Sequence, residues 1–148
     1  MRRRWFAIAA VATVFSAIGV QAASASNTQL SRFETVDGAF GRADHTWTAA
    51  LENLSANATV AQVSKPSVTF VPAIKTFDAA LSKIGFSGKT GTAVATVIKL
   101  NGELIADISS IKSTKSFITE FSALTQQYLT VQTSLAKDLG IATADVQV

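Results

Sequence analysis

Between positions 117 and 139 the residues Phe117, Phe121, Leu124, Tyr128, Val131 and Leu135 recur at alternating four- and three-residue steps. That rhythm places them on one face of an α-helix, with polar residues over most of the rest. Ser116 is the expected N-cap, after a turn over 113–116, and Gly140 supplies a left-handed stop just past the end. Three further segments carry matching stripes. From about 28 to 55, Phe33, Phe40, Trp47 and Leu54 hold one heptad position, and Val36, Ala43 and Ala50 the complementary one, with Gly38 and Gly41 off the seam. A second helix runs to about Ile84 with Phe70, Ile74, Phe77, Leu81 and Ile84 inward. Pro72 either lies in its first turn, with the helix starting near Val71, or kinks a longer helix; the first arrangement is commoner. A third helix is predicted over about 92–111, lined by Val94, Val97, Leu104, Ile108 and Ile111. Its β-branched start also admits a strand over 92–100.

Asn101 falls on the inward face of that third helix, between Val97 and Leu104. A buried asparagine must find partners, and it can fix helix register. Tyr128 is the corresponding polar group of the last helix. The connections read as a loop over 56–66, where Pro66 disfavours helix at Lys65, and a Gly-rich loop over 85–91. Four amphipathic helices joined this way predict an all-α four-helix bundle, most simply up-down-up-down.

The N-terminus changes the charge picture. Arg2, Arg3 and Arg4 precede an apolar run from Trp5 to Val20 and then small residues, the pattern of a cleaved signal peptide over 1–25. Cleavage fits before Ala23 or before Ser26, and the second leaves a polar lead into the first helix. An uncleaved anchor is the alternative, but the run is shorter than the roughly 20 residues a span requires. The domain then occupies 26–140, with a short tail over 141–148 and no transmembrane segment once the signal is removed. The expected location is outside the cell or in the periplasm and cell envelope. Of 13 Lys+Arg, three belong to this segment and no acid does, so the remainder balances the 10 Asp+Glu. Without clustered cations, nucleic acid is not an expected partner. The chain has no cysteine, which excludes disulfides, thiolate metal sites and thiol catalysis. Asn53 and Asn57 match the N-glycosylation pattern, which acts only in a eukaryotic secretory pathway.

Candidate chemistry is sparse. The only histidine, His45, projects off the seam, so neither a serine triad nor a zinc or di-iron site has its ligands. Ser87-Gly88-Lys89-Thr90 imitates the end of a phosphate-binding loop, but the required earlier glycine is Lys83 and a helix leads in. Glu103 and Asp107 share a helix face with Lys99 and Lys112 nearby, a solvated arrangement. The reading is therefore a non-enzyme without cofactor or metal: a binding or structural module with an unknown protein partner. The alternative is a carrier of an apolar ligand, or a binder of lipid or another hydrophobic surface, with Phe33, Phe40, Trp47, Phe77, Asn101, Phe121 and Tyr128 lining the interior.

Two passages, Phe77-Asp78-Ala79-Ala80-Leu81-Ser82-Lys83-Ile84-Gly85-Phe86 and Leu135-Ala136-Lys137-Asp138-Leu139-Gly140-Ile141, resemble a group of small exported actinobacterial helical proteins. In those proteins a helix ends in an Ile-x-Phe-Pro-like turn and the last helix in an Asp-Leu-Gly-Leu-like stop. Ser87 stands where that proline would be, and the lipoprotein cysteine many of them carry is missing. The resemblance implies a secreted helical bundle and names no activity, ligand or site.

Overall fold

The computed structural model describes residues 25–55 and 57–141; the signal-like segment up to position 24 and the tail over 142–148 lie outside the described residues. All regular structure among the described residues is helical: α1 (Asn27–Glu52), α2 (Val60–Ser64), α3 (Ser67–Ile84), α4 (Gly88–Ser109) and α5 (Thr114–Leu139). The four long helices form the bundle, and α2 is a single short turn inside the first connection.

The backbones approach most closely between α1 and α3 and between α4 and α5, with α3 against α4 joining the two pairs. Ring contacts show that α1 and α3 run antiparallel. Phe33 meets Phe86 edge-on at 6.3 Å, Phe40 stacks on Phe77 at 4.3 Å, and Trp47 stacks on Phe70 at 4.4 Å. Trp47 also meets Phe121 of α5 edge-on at 5.3 Å, which closes the bundle across the far side. Every residue of the predicted α5 stripe is buried, and so are Phe33, Phe40 and Trp47.

The seam of α1 departs from a strict heptad. Leu51 is buried where Leu54 was expected, and Leu54 lies past the helix, half-buried. A straight helix drifts about 20° per heptad against a seven-residue repeat, so the inward position moves back along the chain. The same rotation turns Gly41, Asp44 and Thr48 inward, whereas Val36, Ala43 and Ala50 sit at the margin.

Helix ends were the least legible feature. Thr59 and Gln62 form a reciprocal capping box that starts α2 within the expected loop: Gln62 N–H donates to Thr59 Oγ1 at 3.3 Å, and Thr59 N–H to Gln62 Oε1 at 2.8 Å. Lys65 is helical despite preceding Pro66, with φ −55° and ψ −48°, so α2 passes almost directly into α3. α3 therefore begins at Ser67, and Pro72 sits inside it rather than in its first turn. The carbonyl that Pro72 leaves without a donor belongs to Val68, which is 75% exposed, so water can satisfy it. The N-cap of α5 is Ser113 and not Ser116; Ser113 Oγ accepts from Ser116 N–H at 3.1 Å. The first three residues of α5, Thr114, Lys115 and Ser116, carry no large apolar side chain, so periodicity could not reveal them. Gly140 does end α5 in the left-handed region at φ 67°, and Ile141 beyond it is buried, which extends the packed domain by one residue.

The loop over 85–91 is shorter than expected, because α4 already starts at Gly88. The reason for a glycine at 91 is steric: a Cβ there would lie 2.8 Å from the Phe86 carbonyl oxygen. Gly91→Ala is expected to destabilise by about 1–3 kcal/mol, although alanine is the better helix former by about 1 kcal/mol. Gly102→Ala is the control, since a Cβ there meets nothing within 4 Å. It should stabilise by up to about 1 kcal/mol. Urea midpoints that shift in the same direction for both variants would contradict this account of the α3–α4 turn.

Candidate functional site

The interior contains a polar centre built from separate helices. Asn101 of α4 and Tyr128 of α5 are 1% and 2% exposed. The Tyr128 hydroxyl donates to Asn101 Oδ1, and Asn101 Nδ2 donates to Asp78 Oδ1 of α3. The inward placement of Asn101 and its pairing with Tyr128 follow from their register. Asp78 was not foreseen, because a charged residue one position from Phe77 reads as solvent-facing on periodicity alone. Asp44 of α1, next to His45 in the chain, is 0% exposed, whereas His45 is exposed. Buried Thr125 bonds back to the Phe121 carbonyl at 2.9 Å.

Electrostatics keep this centre in one protonation pattern at Tyr128. Burial, and then the negative charges of Asp78, Asp44 and Glu103, push its phenol far above the usual tyrosine range. It therefore stays a donor. Burial also raises the Asp78 carboxyl above the ordinary carboxylate value, a shift that the Asn101 hydrogen bond opposes. A raised folded value means that ionisation costs stability. The contribution of Asp78 is fully present below the unfolded carboxylate value, about 4, and is lost as the pH rises through the higher folded value. The isosteric Asp78→Asn variant removes that titration. The wild-type urea midpoint should rise relative to that of the variant between pH 7 and pH 4.5. A difference between the two that stays flat over this window contradicts the assignment.

Of the seven interior residues proposed as a ligand lining, Phe33, Phe40, Phe77, Asn101 and Tyr128 surround one cavity of about 20 Å³, together with Asp37, Leu81, Val97, Gln132 and Leu135. Trp47 and Phe121 do not reach it; they pack against each other, with Phe70 and Phe117 stacked behind them. The aromatic faces are thus satisfied mainly by one another.

A much larger recess, about 780 Å³, opens on the surface between the N-terminal half of α4 and the C-terminal half of α5. Ala93, Leu100 and Val131 form its floor, Thr92, Thr96, Gln127, Thr130 and Ser134 its walls, and Lys89, Lys137 and Asp138 are charged members of the lining. Thr92, Thr96 and Thr130 donate their hydroxyl protons to carbonyls one turn back, at 3.1, 3.0 and 3.1 Å. Their oxygens are left to act as acceptors toward the groove. No sequence pattern pointed here, because small and hydroxylated residues on two helices become a wall only when the helices pair.

No group of three or more His, Cys, Asp or Glu side chains able to hold a metal occurs among the described residues. No described helix is long and apolar enough to cross a membrane. Glu103 pairs with Lys99 at 3.4 Å on the exposed face of α4, a contact worth little in water. Asp107 lies farther along, its carboxyl raised by burial and by Glu120 and Glu103. Lys89, in the sequence that imitates a phosphate-binding loop, is exposed in the first turn of α4, which follows a helix and not a strand. Comparison with protein-family models, with curated proteins and with solved structures finds no match.

Proposed function

We propose that the protein is an exported, non-enzymatic binding module that works outside the cell or at the cell envelope, with the α4–α5 groove as its contact face. The observation that carries this reading is the contrast between an interior cavity of only about 20 Å³ and an open groove of about 780 Å³, the latter within the range of specific small-molecule or peptide-segment sites. The groove combines an apolar floor with hydroxyl acceptors and charged residues in its lining, a lining suited to binding. The gathered polar groups of the interior share with Phe33, Phe40 and Phe77 a cavity of only about 20 Å³, too small for an organic substrate, which supports a non-catalytic role for them. Export rests on the basic and apolar segment over 1–25, and an up-down-up-down order fits the antiparallel ring contacts of α1 with α3. The alternative, an apolar ligand held inside the bundle, requires the stacked rings to part.

The test is native mass spectrometry of the full chain purified from its own source, as wild type and as Thr96→Trp, which fills the groove. A bound mass or partner present in the wild type and lost in the variant supports the groove. A lipid mass retained equally in both supports the interior carrier, and a wild type that carries nothing under gentle ionisation overturns both binding readings.

A further inference from the structure

We propose that the α4–α5 groove takes an extended peptide segment ending in a free carboxylate, with that carboxylate at the end of the groove that carries Lys89 and Lys137. This rests on the reading of the groove as the contact face and names what it contacts. The first turn of α4 and the last turn of α5 lie at the same end of the recess. That end holds two exposed ammonium groups, Lys89 and Lys137, against the single carboxylate of Asp138, which is already engaged in an interaction. The opposite end, at Leu100 and Gln127, is uncharged. The groove is therefore polarised, and an anion is favoured at one end only.

Its length and lining fit a peptide backbone. From Lys89 to Leu100 a helix rises about 16 Å, which an extended chain covers in about five residues at roughly 3.3 Å each. Hydroxyls recur one turn apart on both walls, at Thr92 and Thr96 of α4 and at Thr130 and Ser134 of α5. A spacing of about 6 Å lies close to the roughly 6.6 Å at which N–H groups repeat along one edge of an extended chain. The protons of Thr92, Thr96 and Thr130 are committed to carbonyls of their own helices. Their oxygens accept, and backbone N–H groups are the donors that an extended segment brings. Every second side chain of that segment then faces the buried aliphatic floor of Ala93, Leu100 and Val131. An acyl chain with an anionic head would meet the floor and the lysines but leave the acceptor rows unused. The peptide uses all three.

Affinity-selection mass spectrometry of the full chain, with a library of randomised N-acetyl pentapeptides offered as free acids and as C-terminal amides, tests this. The wild type should retain free acids over amides by roughly three- to tenfold, the scale of one or two exposed ion pairs, and the preference should shrink at high salt. The double variant Lys89→Gln/Lys137→Gln changes two exposed side chains. It should still retain peptides and lose the preference for the acid. Thr96→Trp should lose both forms. Equal retention of acids and amides by the wild type, or a preference that survives in the double variant, overturns the carboxylate end. Retention of dodecanoate without any peptide assigns the groove to lipid and overturns the peptide. If a source-derived mass is lost in Thr96→Trp while no peptide is retained, this inference fails alone; if neither is bound, it fails together with the groove as contact face.

Discussion

Trp47→Ala is expected to lower stability by about 3–5 kcal/mol and the melting midpoint by roughly 10–20 °C, the largest effect of any single truncation in the core. Trp47 is fully buried and lies where three helices meet. Its ring stacks on Phe70 of α3 at 4.4 Å and 11°, and presents an edge to Phe121 of α5 at 5.3 Å and 79°. This ring contact links α1 to α5, so a void here loosens the closure of the bundle as well as the local packing. The indole N–H also donates to the Ser67 hydroxyl at 3.0 Å. Ser67 opens α3, whose N-cap position is Pro66 with no side-chain cap, so tryptophan helps to hold that helix start. Trp47→Phe separates the two roles. It keeps most of the ring packing and leaves the buried Ser67 hydroxyl without its donor, at a cost of about 1–3 kcal/mol. Urea unfolding followed by far-UV circular dichroism measures both variants. A Trp47→Ala cost below about 1 kcal/mol would mean that the α1–α3–α5 contact is not part of the stable core.

The second large effect is at the polar centre. Asn101→Ala removes the acceptor of Tyr128 and the donor to Asp78 together, and should cost about 2–4 kcal/mol. Tyr128→Phe removes one hydroxyl and leaves Asn101 Oδ1 without that bond, at about 1–2 kcal/mol. The two are expected to be strongly non-additive. Once Asn101 is gone, the buried hydroxyl is a liability, so deleting it should recover part of the loss, with a coupling of about 1–3 kcal/mol. The complete double-mutant cycle, measured by urea unfolding at one pH, gives this number directly. Additive losses would show that the two side chains do not act as a unit.

Much of this architecture is readable along the chain. Phe117 through Leu135, Phe70 through Ile84 and Val94 through Ile108 announce their inward faces because burying a one-sided helix is the dominant favourable term. Asn101 and Tyr128 share that register and so could be paired in advance. The capping box of Thr59 and Gln62 was present as a signal and outweighed by the small polar residues around it. Asp44 and Asp78 were not legible, since residue type alone assigns a carboxylate to solvent. Only the rotation of α1 and the presence of Asn101 opposite α3 turn these two positions inward.

The chain by itself determined four amphipathic helices, their inward stripes, the glycine stop at Gly140 and the placement of one asparagine and one tyrosine in the core. These follow from local periodicity and backbone conformation, which act within a few turns. The tertiary structure alone decided that the aromatic stripes stack on one another around a cavity of only about 20 Å³, that carboxylates join the polar centre, and that the open recess lies between α4 and α5. Each of these depends on residues far apart in sequence, and on the rotation and distance between packed helices. Neither quantity has a signature in the spacing along any one of them.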